Sequence, residues 1–280
     1  MKFTKMHGLG NDYIFIRRQE LAACGIPEGA FPRLARRLCD RHFGIGADGL
    51  VVLHPSESAD IRMQMFNADG SEGLMCGNAA RCVGTYLWHS GKFSDRPVIR
   101  METGAGERTL HLLLQNDRLA GVTVDMGSVR DLRRITLHTD DTERQATVLS
   151  VGNPHCIIFH PDPDIVDVPG TGKVLEHAIL PSHRVNIEWV RVNDPTHLQM
   201  RVYERGCGET LACGTGACAA TAAAVERGLC PPDTRISVAM PGGILHVTVT
   251  KDKIFMEGDA TLVFEGDIPL PLPCRKEETP

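Results

Sequence analysis

Several features are missing from this 280-residue sequence, and each absence excludes a class of function. No run approaches the roughly 18 consecutive apolar residues of a membrane-spanning helix. The opening MKFTKMHGLGNDYIFI has no apolar core of about 7 to 15 residues that would mark a secretory signal. A cytoplasmic protein without a membrane partner is therefore expected. There is also no block of one charge. The net charge of −5 is spread over mixed-sign segments, and Arg36-Arg37 and Arg133-Arg134 read as solvated faces rather than a nucleic-acid footprint. No nucleic-acid partner is expected. Finally, no Cys-x-x-Cys pair occurs; the closest pairs are Cys213 with Cys218, Cys76 with Cys82, and Cys207 with Cys213. A five-residue step along a helix turns ~500° and leaves two side chains about 140° apart. Such a pair would not share an ion, so no metal site is expected.

What is abundant is cysteine, with ten residues, in a chain that is 42% hydrophobic and 23% charged. Such a chain can bury one large core or two of about 130 residues each. Without a secretory signal the thiols are expected to be reduced, and a chain of this size needs no covalent staples. Catalytic thiols among buried ones become the reading to test.

An internal repeat points to two of them. The segment Glu72-Gly73-Leu74-Met75-Cys76-Gly77-Asn78-Ala79-Ala80 matches Glu209-Thr210-Leu211-Ala212-Cys213-Gly214-Thr215-Gly216-Ala217 in its Glu, Leu, Cys, Gly and final Ala, and Cys213 follows Cys76 by 137 residues, close to half the chain. The plain alternative is chance similarity between two small-residue helix starts. The pattern predicts one helix from Asn78 to about His89, with Asn78 as N-cap, and another from Thr215 to Arg227, with Thr215 as cap. The second stops at Gly228, with Pro231-Pro232 beyond. Both cysteines then sit at helix N-termini, where unpaired N–H groups and the helix dipole favour a thiolate and are expected to lower its pKa from the free value of ~8.5.

Strands are expected at Tyr13 to Arg17, Leu50 to Leu53, Ile61 to Phe66, Gly121 to Asp125, Cys156 to Phe159, Leu198 to Tyr203, Leu245 to Thr250 and Thr261 to Phe264. Many strands and few helices favour an α+β fold over a doubly wound one. The expected architecture is two pseudo-symmetric lobes, each a curved antiparallel sheet or barrel around a central helix.

The blocks Phe66-Asn67-Ala68-Asp69-Gly70-Ser71-Glu72 with Met75-Cys76-Gly77-Asn78, and Tyr203-Glu204-Arg205-Gly206-Cys207-Gly208-Glu209 with Leu211-Ala212-Cys213-Gly214-Thr215-Gly216, resemble those of the diaminopimelate epimerases. The resemblance extends to Lys5 through Asp12, Gly44 through Asp48, Gly152-Asn153-Pro154-His155, Arg184-Val185-Asn186 and Pro241-Gly242-Gly243, and so covers nearly the whole chain. It implies interconversion of LL- and meso-diaminopimelate without pyridoxal phosphate, metal or other cofactor, on the way to lysine and a peptidoglycan precursor. It also implies a homodimer and two lobes closing over the substrate: residues 1–123 with Cys76, joined by a returning strand within 264–280, and residues 124–263 with Cys213. Proline and hydroxyproline racemases also use paired cysteines, but typically show His after Cys-Gly, where this chain has Asn78. A non-catalytic thiol or metal-binding module is the alternative from another class.

The chemistry suits the residues. Inverting an α-carbon requires proton removal on one face and delivery on the other, and a thiol has a pKa near enough to neutrality for thiol and thiolate to coexist. Two facing helix N-termini would direct N–H groups at the reacting carboxylate, with Gly77 and Gly214 permitting close approach. By resemblance, Asn78, Gly214 and Thr215 hold that carboxylate, with Asn11 in the site. Asn67, Asn186 and Arg205 take the distal amino-acid end, and Asn153 and Glu204 lie at the junction. His155 is a supporting group. Without the resemblance, Asn153 and Asn186 read equally well as turn residues, and Glu204-Arg205 as a surface pair. The other cysteines, Cys24, Cys39, Cys82, Cys156, Cys207, Cys218, Cys230 and Cys274, are expected to be buried small apolar residues. Relatives usually carry Gly at Ala79 and some carry Gln at Gly49, so the added methyl is expected to narrow the site and one contact to be absent.

Overall fold

The structure is a computed structural model that describes residues 1–93, 96–139, 142–179 and 185–269. The first lobe contains β1 (Lys2–Gly8), β2 (Asn11–Arg17), α1 (Arg18–Ala23), α2 (Phe31–Leu38), β3 (Gly49–His54), β4 (Ile61–Asn67), β5 (Glu72–Gly73), α3 (Gly77–His89), β6 (Val98–Thr103), β7 (Gly106–Gln115) and β8 (Arg118–Gly127). Then come β9 (Arg130–Thr139), β10 (Thr142–Ser150), β11 (Pro154–Phe159), α4 (Val168–Ala178), β12 (Asn186–Asp194), β13 (His197–Glu204) and β14 (Gly208–Thr210). They are followed by α5 (Gly214–Glu226), β15 (Arg235–Met240), β16 (Gly243–Val249), β17 (Ile254–Gly258) and β18 (Thr261–Asp267).

Strand order repeats. In the first lobe β18, β1, β2, β3, β4, β6, β7 and β8 lie side by side, and in the second β9, β10, β11, β12, β13, β15, β16 and β17 do the same. Strand β8 pairs with β17 and joins the two sheets. Most pairings are antiparallel, but β2–β3, β4–β6, β11–β12 and β13–β15 are parallel. These are the places where a helix-containing crossover separates the strands, as parallel pairing requires. The register repeats as well: Tyr13 stands opposite Gly49, and His155 opposite Asn186.

Helices α3 and α5 form the two centres. Ala79, Ala80, Cys82, Val83 and Leu87 of α3 are buried, and α5 is buried on nearly every side because it consists largely of alanine. A sheet can close tightly around such small side chains. Outside each sheet a second helix covers the opposite face. Phe31, Leu34 and Leu38 of α2 pack with Leu50 and Val52 of β3, while Val168 and Leu175 of α4 pack with Ile187 and Trp189 of β12. Burying each such side chain contributes about 1.5–3 kcal/mol. Both faces of β3 are thereby covered, which is why its sequence GLVVLH is buried throughout.

All eight expected strand segments lie in strands, with Thr250 one residue beyond its strand. The expected lobe boundary at 123 falls inside β8, the strand that pairs with both β7 and β17. The strand returning to β1 begins at Thr261 rather than 264, and residues 270–280, Cys274 among them, lie outside the described residues. Two cysteines depart from expectation: Cys207 is exposed and Cys24 half-buried. Cys207 lies in the turn between β13 and β14, and Cys24 caps the surface helix α1. Cys39, Cys82, Cys156, Cys218 and Cys230 are buried.

Candidate active site

Each cysteine ends an extended segment and starts a helix. Cys76 is the residue before α3, with φ −140° and ψ 125°. Cys213 is the residue before α5, with φ −125° and ψ 110°. Asn78 and Thr215 therefore lie inside the first turns and are not the caps. The helices start earlier because Gly77 and Gly214 take up helical backbone, and at α5 sulfur supplies the acceptor: the Gly216 N–H donates to Cys213 Sγ at 3.4 Å.

The two helix starts meet at Met256 of β17. A methyl on Gly77 would lie 2.6 Å from Met256 Cε; one on Gly214 would lie 2.8 Å from Met256 Sδ and 3.4 Å from Asn78 Oδ1. A side chain at either position would require the end of Met256 to shift, and glycine allows the approach as it stands. Arg81, one turn along α3, is fully buried and donates from Nη1 to Met256 Sδ at 3.6 Å and from Nε to the Asp259 carbonyl at 3.1 Å.

The two thiols have different neighbours. The Tyr13 hydroxyl lies 2.9 Å from Cys76 Sγ and also contacts Asn11 Oδ1. Cys213 Sγ has the Thr215 hydroxyl at 3.5 Å and Asn186 Nδ2 at 4.0 Å. Burial is the largest influence on both thiols and pushes their pKa values up, Cys213 well above the ordinary value. Glu204 and Glu188 add to the rise at Cys213. This corrects the expected lowering. Tyr13 and the N–H groups of Ala79 and Asn78 do favour the Cys76 thiolate, as Thr215 and the Gly216 N–H do at Cys213, but desolvation of a charged sulfur outweighs them. Glu204 is itself pushed up by burial, although the Thr210 hydroxyl donates to its Oε1 at 2.6 Å.

The other predicted residues divide. Asn11 joins the Cys76 side: its Oδ1 accepts from Asn78 Nδ2 at 3.2 Å, and its Nδ2 donates to Asp48 at 2.7 Å. Asn78 is buried, and among the described residues its Oδ1 has no donor, an acceptor that lies beside Gly214. On the Cys213 side, buried Asn186 accepts from the Arg205 backbone N–H at 3.0 Å. The Arg205 side chain is exposed. Asn67 is also exposed and donates to the Ser71 hydroxyl at 2.9 Å within its turn. Asn153 accepts from or faces His155 Nε2 at 3.0 Å, and His155 Nδ1 lies 2.6 Å from Glu188 Oε1, with neither ring nor carboxylate exposed. Ala79 is buried in the core. A methyl on Gly49 would lie 2.7 Å from the Phe66 carbonyl and 3.4 Å from the Tyr13 ring.

Sequence reasoning missed Tyr13, Glu188, Arg81 and Met256. A signal existed for Tyr13: Gly10-Asn11-Asp12-Tyr13 corresponds to Gly152-Asn153-Pro154-His155, and the matching registers place Tyr13 and His155 at equivalent positions. Nothing in the sequence marks Met256 as the residue between the two helix starts, since only the β8–β17 pairing brings it there. Among the described residues, no group of three or more His, Cys, Asp or Glu side chains is arranged to hold a metal ion.

A family model described as diaminopimelate epimerase matches residues 3–132 and 147–263. The chain is 41% identical over 280 residues to a diaminopimelate epimerase from Desulfitobacterium hafniense, covering 95% of this chain and 97% of that protein. It is 44% identical over 285 residues to one from Pelotomaculum thermopropionicum, covering 96% and 99%. Among solved structures, its fold is similar to a hydroxyproline epimerase from Agrobacterium vitis, with TM-score 0.76 and 15% identity over 95% of this chain and 91% of that one. A Bacillus anthracis phenazine biosynthesis protein of the PhzF family superimposes with TM-score 0.73 and 18% identity over 96% and 99%. At these identities the structural likeness speaks to the fold alone.

Proposed function

The chain belongs to the diaminopimelate epimerase family, and from that membership we propose that it interconverts LL- and meso-2,6-diaminopimelate by proton transfer between two thiols. The observation that carries the reading is the pair of Cys-Gly helix starts meeting across Met256. In this scheme one cysteine is a thiolate and removes the α-proton. The other is a thiol and delivers a proton to the opposite face. Turnover leaves the two protonation states exchanged, so the reverse reaction uses the same pair with roles swapped. The backbone N–H groups of both first turns, with Asn78, Gly214 and Thr215, hold the reacting carboxylate and offset the charge that develops on it. The unpaired Oδ1 of Asn78 supports a donor on the substrate, such as its α-ammonium, at that place.

Arg205 suits the distal carboxylate because its guanidinium is exposed and planar, and Asn67 and Asn186 are assigned to the same end of the substrate. Asn11, Asn153 and Glu204 complete the junction, and His155 supports from behind. Diaminopimelate is the small-molecule partner, the reaction draws on no cofactor, and we assign the enzyme to the cytoplasm as a homodimer in lysine and peptidoglycan precursor synthesis. The test is a side-by-side assay with LL-diaminopimelate, L-proline and trans-4-hydroxy-L-proline, following isomer formation. Turnover of diaminopimelate alone is the expected result; turnover of an imino acid without diaminopimelate would overturn the substrate.

A further inference from the structure

The lobes support their cysteines differently at one equivalent position, and the inference drawn from this rests on the two-thiol reading above. His155 directs its ring nitrogens to Glu188 and Asn153, at 2.6 and 3.0 Å. At the place of Glu188 the first lobe has Val51, opposite Phe15 in the register where Glu188 stands opposite Ile157. Among the described residues, Tyr13 therefore has no carboxylate hydrogen-bond partner. Its hydroxyl instead sits between two acceptors, Cys76 Sγ at 2.9 Å and Asn11 Oδ1. One hydroxyl carries one proton, so it serves one of them at a time.

We propose that Tyr13 is a positioning residue that follows the charge of Cys76, its hydroxyl proton lying on Asn11 Oδ1 when Cys76 is a thiol and turning to sulfur when Cys76 is a thiolate. In the thiol form the S–H donates to the phenol oxygen. In the thiolate form the O–H donates to sulfur, and Asn11 Oδ1 retains the Asn78 donor at 3.2 Å. No covalent bond to Tyr13 forms or breaks, and the proton that reaches substrate leaves from sulfur. Burial, reinforced by Cys76, holds the phenol pKa well above its ordinary value, so the hydroxyl stays protonated while cysteine titrates. Gly49 stands beside the ring, where a methyl would lie 3.4 Å from Tyr13 Cδ1.

The test uses the full chain without substrate. The rate at which iodoacetamide alkylates Cys76 is measured against pH by peptide mass spectrometry, in wild type and in Tyr13→Phe, which removes only the hydroxyl. Charged groups facing this pair are Glu204 from β13, Arg81 along α3 and Asp48 beyond β2, with Cys82 also near Tyr13; none is altered. The midpoint for Cys76 should rise by about one pH unit, or about tenfold slower alkylation at a fixed pH below it, and that for Cys213 should stay in place. A merely structural tyrosine would not move a thiol's titration. An unmoved Cys76 midpoint in folded Tyr13→Phe overturns the proposal. Should that variant fail to fold, 3-fluorotyrosine in place of the three tyrosines makes the phenol a stronger donor in the unaltered sequence. The Cys76 midpoint should then fall, and a rise or no change overturns the proposal. Failure of wild type to turn over diaminopimelate would instead sink the substrate and leave this readout intact.

Discussion

Replacing His155 with phenylalanine should destabilise the protein more than replacing His155 and Glu188 together. The two side chains have no exposed surface and meet at 2.6 Å, and the second Glu188 oxygen has no partner among the described residues. The carboxylate thus depends on one donor. His155→Phe keeps the ring volume but leaves the carboxylate buried without that donor, a change that costs about 3–5 kcal/mol, against a total stability of about 5–15 kcal/mol. Adding Glu188→Leu removes the stranded group, and the remaining deficit should fall to that of a volume-conserving swap, below about 1.5 kcal/mol. Asn153 Oδ1 loses its partner in both variants, but that residue is half-buried and open to water. Urea unfolding followed by tryptophan fluorescence and far-ultraviolet circular dichroism, with coincident transitions, reads the difference. A double variant less stable than His155→Phe would refute the view that the pair is held by mutual need.

Cys76→Ala and Cys213→Ala should each abolish net inversion, a loss of at least about 10²–10⁴-fold, measured by chiral separation of the isomers; full activity in either would contradict the two-thiol scheme. Gly77→Ala would place a methyl 2.6 Å from Met256 Cε and shift one helix start, so kcat/KM should fall about tenfold to a hundredfold, with restoration when Met256 is shortened to Val. Because burial pushes both thiols up, less thiolate is present at neutral pH. The free-enzyme profile of kcat/KM should climb about tenfold per unit between roughly pH 6 and 8, without levelling until past the free thiol value of about 8.5; a flat profile there would contradict the assignment. Activity in excess EDTA should equal activity without it, and a loss restored by a divalent ion would revive the metal-site alternative.

The repeat around Cys76 and Cys213 was legible because a catalytic thiol, its following glycine and a helix start are all local in sequence. The eight strand segments were legible for the same reason, as short apolar runs punctuated by glycine and proline. Pairing was not, because β8 with β17 and β18 with β1 join residues far apart in the chain. The caps lie two residues earlier than expected because asparagine and threonine are the usual oxygen acceptors, while here the residue before each helix is the cysteine itself. The sign of the thiol shift was missed because a helix N-terminus can be seen in sequence, whereas desolvation depends on what the opposite lobe covers. Glu188 reads in sequence as one polar residue in an apolar strand, and only the pairing of β11 with β12 brings it to His155.

The most direct test is to run LL-diaminopimelate through the enzyme in D₂O and stop the reaction at low conversion. If a separate thiol serves each face of the α-carbon, the meso product carries deuterium at the inverted centre, while recovered LL substrate remains protiated. Recovered substrate that gains deuterium as fast as product forms would mean that one group serves both faces, and would contradict the account built on Cys76 and Cys213.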